Sequence, residues 1–172
     1  MSNVSPVKEN QSAKVDSRAG KYLTFFLANE EYGVEILKVQ EIIGRMPITP
    51  LPLTSRYIRG VVNLRGKIHP IMDLNIKFGM NQTEITDETC IIVIKTSSIM
   101  MGILVDKVSE VVNVASDEIE DAPFFGSEVN TEYLLGIGKT GGRIRMLLDI
   151  EKVITASDII NMKKATDPEN KQ

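Results

Sequence analysis

The sequence predicts a mainly β chain made of two small barrels that arose by internal duplication. Tyr57 to Ile76 (YIRGVVNLRGKIHPIMDLNI) returns as Tyr133 to Val153 (YLLGIGKTGGRIRMLLDIEKV), with Tyr57/Tyr133, Gly60/Gly136, Gly66/Gly142 and Asp73/Asp149 each 76 positions apart (133−57, 136−60, 142−66, 149−73). A constant offset over like residues marks an internal repeat. The part before it repeats at another offset: Gly33/Gly102, Val39/Val108 and Glu41/Glu110 are 69 apart (102−33, 108−39, 110−41), and Leu23 and Phe25 fall on Ile92 and Ile94. Finally, the apolar runs are short, β-rich and bounded by turn residues. The repeats span about 21–80 and 90–155. Each holds roughly five short strands, which close naturally into a small barrel that leaves no free edge.

Residues 1–20 are rich in Ser, Asn, Lys and Gln. They bury too little apolar surface to offset chain entropy and are expected to be a disordered tail. YLTFFLA is a strand, NEE a turn and YGVEI a second strand; a turn at Leu37-Lys38 leads to VQEIIG, a third strand. A helix over EILKVQEII competes, because Ile36, Val39, Ile42 and Ile43 also fit helical spacing. PITPLPLTS carries three prolines, which lack backbone donors, and reads as an extended crossover. GVVNL and KIHPIMDL form a hairpin about Arg65-Gly66, with Pro70 implying an edge or a bulge. NIKFGM is a short helix or turn, and NQTEITDET a polar loop.

CIIVIK opens the second copy. The offset grows from 69 to 76 within NVASDEIEDAPFFGSEVNT, where a surface connection absorbs extra length cheaply. DIEKVITASDIINMKK reads as amphipathic helix, with Ile150, Val153 and Ile154 on one face, then Ile159, Ile160 and Met162 after a cap at Ser157. It packs back on the repeats, and residues 161–172 are expected to fray.

Lys+Arg number 20 against 23 Asp+Glu, a net charge of −3. Affinity for DNA or RNA draws on phosphate neutralisation, so nucleic acid is not an expected partner. The single cysteine, Cys90, excludes an intramolecular disulfide and a cysteine-built zinc site. No apolar run approaches the roughly 18 to 20 residues of a membrane span, and residues 1–20 lack the apolar block of a secretory signal. A cytoplasmic location is the expectation.

Little in the chain suggests catalysis. His69, the only histidine, lies between Ile68 and Pro70 and has no second histidine or cysteine to complete a zinc site. No G-x-S-x-G elbow exists for a triad, and no glycine pattern makes a phosphate cradle. Asp73 and Asp149 are related by the repeat, which is how a carboxylate dyad for a small acid hydrolase would look. Each also precedes an apparent helix, where Asp caps backbone donors. Glycines 33, 60, 66, 102, 136 and 142 recur with the repeat as corners and turns. Two surface residues stand out. Arg65 at a hairpin tip is either a solvated charge or a guanidinium aimed at a partner. Glu41 within VQEII either faces solvent or rims an apolar groove.

EEYGVEILKVQEI, YIRGVVNLRGKIHPIMDL and YLLGIGKTGGRIRMLLDIEKV together resemble the CheW family of chemotaxis coupling proteins, over about residues 21–160. The resemblance implies two intertwined five-stranded SH3-like β-barrels, no enzymatic activity and no cofactor or metal. It implies an adaptor between the cytoplasmic tips of methyl-accepting chemoreceptors and the regulatory domain of the CheA histidine kinase, with no direct membrane contact. A barrel-pair module for another signalling kinase is the alternative. By motif, Val39, Glu41, Arg65 and Cys90 fall on receptor-binding positions, and Ile42 on a kinase-side position. Gly60, Gly102 and Gly136 match positions where larger residues harm coupling, through backbone geometry rather than contact.

Overall fold

The computed structural model describes residues 16–52, 55–123 and 131–166. Most of the expected N-terminal tail, the 124–130 part of the long connection and residues 167–172 lie outside them. The strands are β1 (Gly20–Leu27), β2 (Glu30–Glu35), β3 (Val39–Gly44), β4 (Ile58–Leu64), β5 (Lys67–Asp73), β6 (Cys90–Lys95), β7 (Met100–Val105), β8 (Lys107–Val114), β9 (Ile119–Glu120), β10 (Leu134–Thr140) and β11 (Arg143–Leu148). The helices are α1 (Leu74–Lys77), α2 (Ile150–Val153) and α3 (Ala156–Thr166).

Two sheets form, in the orders β8-β1-β2-β11-β10-β9 and β3-β6-β7-β5-β4. Each draws strands from both repeats. β1 and β2 of the first copy join β8, β10 and β11 of the second, and β6 and β7 of the second join β3, β4 and β5 of the first. A barrel built from one contiguous copy, the simplest reading of the offsets, does not form; the barrels are intertwined. Strands of one copy can pair with their own neighbours or with the equivalent neighbours in the other copy, so the exchange costs little. The crossings are short: Ile36–Lys38 carries the chain from one sheet to the other, and Asp106 carries it back. Parallel pairs join the copies, β2 with β11 and β5 with β7.

β1 and β6 are buried on both faces, which is why FF and IIVI are continuous apolar runs. Leu23, Phe25, Ile92 and Ile94 face a core shared between the sheets, together with Met72, Ile103, Leu148, Val153 and Met162. On their other faces, Ile91 and Val93 fill the five-stranded barrel with Val62, Ile71 and Leu104. Tyr22 fills the six-stranded one with Val114, Ile119 and Leu147.

Several local expectations need correction. Order begins before Lys21: Arg18, inside the expected tail, donates to Asp121 at 2.9 Å and to the Leu135 carbonyl at 2.8 Å. Within EILKVQEII the strand reading holds and the competing helix does not: a 3-10 turn at Ile36–Lys38 leads into β3. Pro70 lies on an interior strand. It faces Val61, whose backbone N–H and C=O both bond to Thr49, so the pair requires no donor from proline. The bulge falls nearby, between Ile58 and Gly60.

The C-terminal segment is two helices, and the cap of α3 is Thr155 rather than Ser157. The Asp158 N–H donates to Thr155 Oγ1 at 3.2 Å while the Thr155 N–H donates to Asp158 Oδ2 at 3.0 Å. This reciprocal pair is a capping box, which the spacing T-A-S-D carries in the sequence. α3 then continues to Thr166, through residues expected to fray.

Candidate functional site

β3 is an edge strand paired only with β6, and an irregularity at Gln40 decides what it presents. Val39 opposes Ile94, but Glu41 opposes Val93, so Gln40 is the extra residue of a bulge. In a regular strand residues 39 and 41 would share a face. Here Val39 turns with Ile94 toward the shared core, and Glu41 turns with Val93 toward the interior of the five-stranded barrel.

Glu41 thereby reaches the mouth of that barrel. A pocket of about 240 Å³ opens there, floored by Leu64, Val93 and Met100 and rimmed by Gln40, Glu41, Arg65, Lys67 and His69. Arg65 and Gly66 form the two-residue hairpin turn with φ of +52° and +86°, a type I′ geometry that matches strand twist. The Asn63 side chain accepts from the Gly66 N–H at 2.9 Å. The Arg65 guanidinium pairs with Glu41 across the rim, its second contact at 3.4 Å. The Glu41 carboxylate holds the Arg65 charge more firmly by raising its pKa. Arg65 remains mostly exposed.

The other barrel has an equivalent mouth, and it is sealed. Arg145, Glu31 and Thr24 stand where His69, Met100 and Val93 stand (145−69 is 76; 100−31 and 93−24 are 69). Arg145 is 2 % exposed and Glu31 5 %. Arg145 Nε donates to Glu31 at 2.9 Å, Nη2 to Glu110 at 3.2 Å and Nη1 to the Thr140 carbonyl at 3.1 Å. Arg143 adds a bond to Glu31 at 2.7 Å. Thr24 Oγ1 bridges the Glu110 backbone at 2.8 and 3.1 Å. A buried ion pair closes one mouth, whereas aliphatic and thioether side chains leave the other open.

On the opposite face of β3, Val39 and Cys90 are half-buried against the shared core. Ile42 opposes Ile92 and is 44 % exposed. The expected receptor-side residues therefore divide: Glu41 and Arg65 meet at the mouth, while Val39 and Cys90 share a face with Ile42. The repeat places Val108 and Val111 equivalently on β8, and Val111 is 50 % exposed. The offset of 69 from Ile42 (111−42) could have nominated Val111 from sequence.

The three glycines are tight. A Cβ on Gly60, at φ +140°, would fall 2.0 Å from the Thr49 carbonyl oxygen. One on Gly136 would meet the Glu120 oxygen at 2.8 Å, and one on Gly102 would meet Ile71 Cδ1 and Ile91 Cγ2, both at 2.6 Å. Asp73 is fully engaged: it accepts from the Asn75 and Thr83 N–H groups at 3.0 Å, Thr83 Oγ1 at 2.6 Å and Arg59 at 2.9 Å. Asp149 accepts from the Glu151 N–H at 3.1 Å. Both cap short helices. Among the described residues no group of three or more His, Cys, Asp and Glu is placed to hold a metal ion.

The CheW-like domain family matches residues 21–158. The chain belongs to the CheW family. It is 42 % identical over 139 residues to the "Chemotaxis protein CheW" of Klebsiella aerogenes, covering 81 % of this chain and 84 % of that protein. It is 34 % identical to the protein of the same name in Bacillus subtilis, covering 78 % and 86 %. Among solved structures it resembles the scaffolding protein TtCheW from Thermoanaerobacter tengcongensis, with a TM-score of 0.73 and 31 % identity over 81 % of this chain and 95 % of that one. The two intertwined β-barrels are thus the CheW fold. No helix in the described residues is long and apolar enough to cross a membrane.

Proposed function

We propose that this chain is a non-enzymatic adaptor that couples chemoreceptors to the CheA histidine kinase in bacterial chemotaxis. It works in the cytoplasm and is recruited to membrane receptor arrays through its partners. The observation that carries this reading is the pair of unlike faces on β3. One is a charged rim around an apolar pocket, with Glu41 and Arg65. The other is an apolar strip with Val39, Ile42 and Cys90. Two patches on one rigid body are what a bridge requires, and stable contacts of this kind bury about 800 Å² per partner. The relatives named for chemotaxis and the scaffold they include support the same role.

In this reading Glu41 and Arg65 at the mouth, with Val39 and Cys90 on the opposite face of β3, serve the helical receptor tip, and Ile42, the exposed residue of that opposite face, serves the regulatory domain of the kinase. The pocket accepts an apolar side chain and Arg65 sets register, because charged rims steer and orient more than they hold. Gly60, Gly102 and Gly136 support coupling through close backbone approach. Separate capture of a receptor cytoplasmic fragment and of the kinase regulatory domain, followed by capture of both together, tests the proposal. A ternary complex is expected, and binding of neither partner by the folded chain would refute it.

A further inference from the structure

The open barrel mouth carries an unbalanced charge. Lys67 and His69 share a face with Leu64 and Val62, their direct cross-strand partners, and Lys95 stands opposite Met100 on the same side of β6 and β7. With Arg65 they set three cations and an imidazole about a pocket whose one lining carboxylate is Glu41, itself paired with Arg65. Glu151, which bonds Ser97 beyond the end of β6, is already matched by Lys38. Among the described residues the side chains of Lys67, His69 and Lys95 have no hydrogen bond or ion pair. The chain as a whole is acidic, with a net charge of −3, so this patch runs against the rest of the surface.

The sealed mouth shows what balances such a set. Arg143 stands for Lys67 and Arg145 for His69 (143−67 and 145−69 are 76), and Glu31 stands for Met100 (100−31 is 69). The Glu31 carboxylate accepts from Arg143 at 2.7 Å and from Arg145 at 2.9 Å. The open mouth keeps both nitrogen-bearing positions. Its carboxylate position holds the Met100 thioether instead, against a pocket of about 240 Å³ that opens to solvent.

We propose that the open mouth recognises an acidic side chain, Glu or Asp, of a protein partner, its carboxylate lying over Met100 against Lys67 and His69 as Glu31 lies against Arg143 and Arg145. Imidazole donates an N–H in either charge state, and the Lys67 ammonium supplies the countercharge. The floor of Leu64, Val93 and Met100 takes the apolar side chain beside that carboxylate, which a free small acid does not carry. Assigning the partner to the receptor tip rests on the adaptor reading; the preference for a carboxylate does not.

The test is an NMR titration of the full chain that follows the Met100 methyl group and the backbone amides of Gly66 and Lys67. The probes are acetyl-Leu-Glu-amide, acetyl-Leu-Gln-amide and acetate, at ionic strength matched with KCl. Saturable shifts are expected with the acidic peptide, and much weaker binding with the neutral peptide and with acetate. Lys67→Met, at an exposed position, is expected to weaken the acidic peptide about threefold, the worth of one exposed ion pair. Met100→Glu is expected to abolish its binding by placing a carboxylate of the chain's own in the mouth; Lys67→Met keeps the test open if that variant fails to fold. With a receptor cytoplasmic fragment, Lys67→Glu is expected to weaken capture about tenfold, and one Glu→Lys or Asp→Lys change in the fragment to restore it. No saturable shift with the acidic peptide, equal binding of the neutral peptide (an apolar site only) or of acetate (a simple anion site only), or equal affinity across the folded variants would overturn the proposal. Selectivity for the acidic peptide with no capture of the fragment by the wild type supports the site and removes the receptor as its partner.

Discussion

Arg65 adopts a left-handed backbone conformation, φ +52°, and from it pairs its guanidinium with Glu41 across the open barrel mouth. The equivalent hairpin in the other barrel uses Gly141-Gly142, at φ +61° and +74°. An L-residue pays for this conformation where glycine does not. Arg65→Gly is therefore expected to leave the thermal midpoint unchanged or raise it by about 2 °C, while capture of a receptor fragment falls. A midpoint lowered by more than about 5 °C would mean that the side chain serves the fold.

Exchanging what fills the two mouths tests their difference. His69→Arg with Met100→Glu carries the Arg145–Glu31 pair of the sealed barrel into the open one. We expect the double variant to lose at least tenfold in receptor-fragment affinity and to keep affinity for the kinase regulatory domain. Lys67→Glu reverses a rim charge on an exposed residue without touching the core, and is expected to act in the same direction. Calorimetric titration of each partner separately reads both effects.

The glycines should rank by what their Cβ atoms would meet. Gly60→Ala drives into the Thr49 backbone and is expected to cost about 3 kcal/mol in urea unfolding, combining overpacking with a positive φ. Gly136→Ala meets the Glu120 carbonyl and should follow closely. Gly102→Ala meets Ile71 Cδ1, a side-chain end, and Ile91 Cγ2, held on the stiff β-carbon of a fully buried residue, and is expected to cost about 2 kcal/mol. Equal costs at all three positions would contradict this ranking.

The duplication and the Arg65-Gly66 hairpin were legible in sequence because each depends on local pattern; ten of the eleven strands were too, and the two-residue β9, Ile119–Glu120, was hidden in the long connection. The intertwining of the barrels was legible only through the family resemblance, because offsets of 69 and 76 are the same whether a copy pairs with itself or with its twin. Gln40 was equally silent: a bulge changes which face a residue takes without changing any residue, so Val39 and Glu41 read as neighbours and fold as opposites. Nothing in GRIRML marks Arg145 as buried, and its partner Glu31, 114 positions away, makes that burial tolerable. The Thr155 cap was visible in T-A-S-D, but Ser157 sat inside the same window.

The C-terminal helix carries a pH signature. Asp158 and Lys77 pair at 2.9 Å with side chains 1 % and 6 % exposed, and the Tyr57 hydroxyl also donates to Asp158. Burial alone would raise the Asp158 carboxyl, but hydrogen bonds from Tyr57, Lys77 and the Thr155 N–H outweigh it and hold the pKa below the ordinary 3.8. A folded pKa below the unfolded one stabilises above the unfolded value and loses that stability as pH falls through the folded value. Asp158→Asn is expected to cost about 3 kcal/mol at neutral pH by stranding Lys77. The gap between wild type and variant should then narrow from about pH 4 downward. Urea midpoints across that range check this, and a gap independent of pH would remove the carboxylate from the account.

The central claim, that one rigid pair of barrels couples two partners, is tested most directly by CheA autophosphorylation with receptor-containing membranes, with and without this chain. The account predicts strong stimulation with the wild type and little with folded Arg65→Glu, although that variant still captures the kinase regulatory domain. Stimulation by Arg65→Glu equal to that of the wild type, or no stimulation by the wild type, would contradict it.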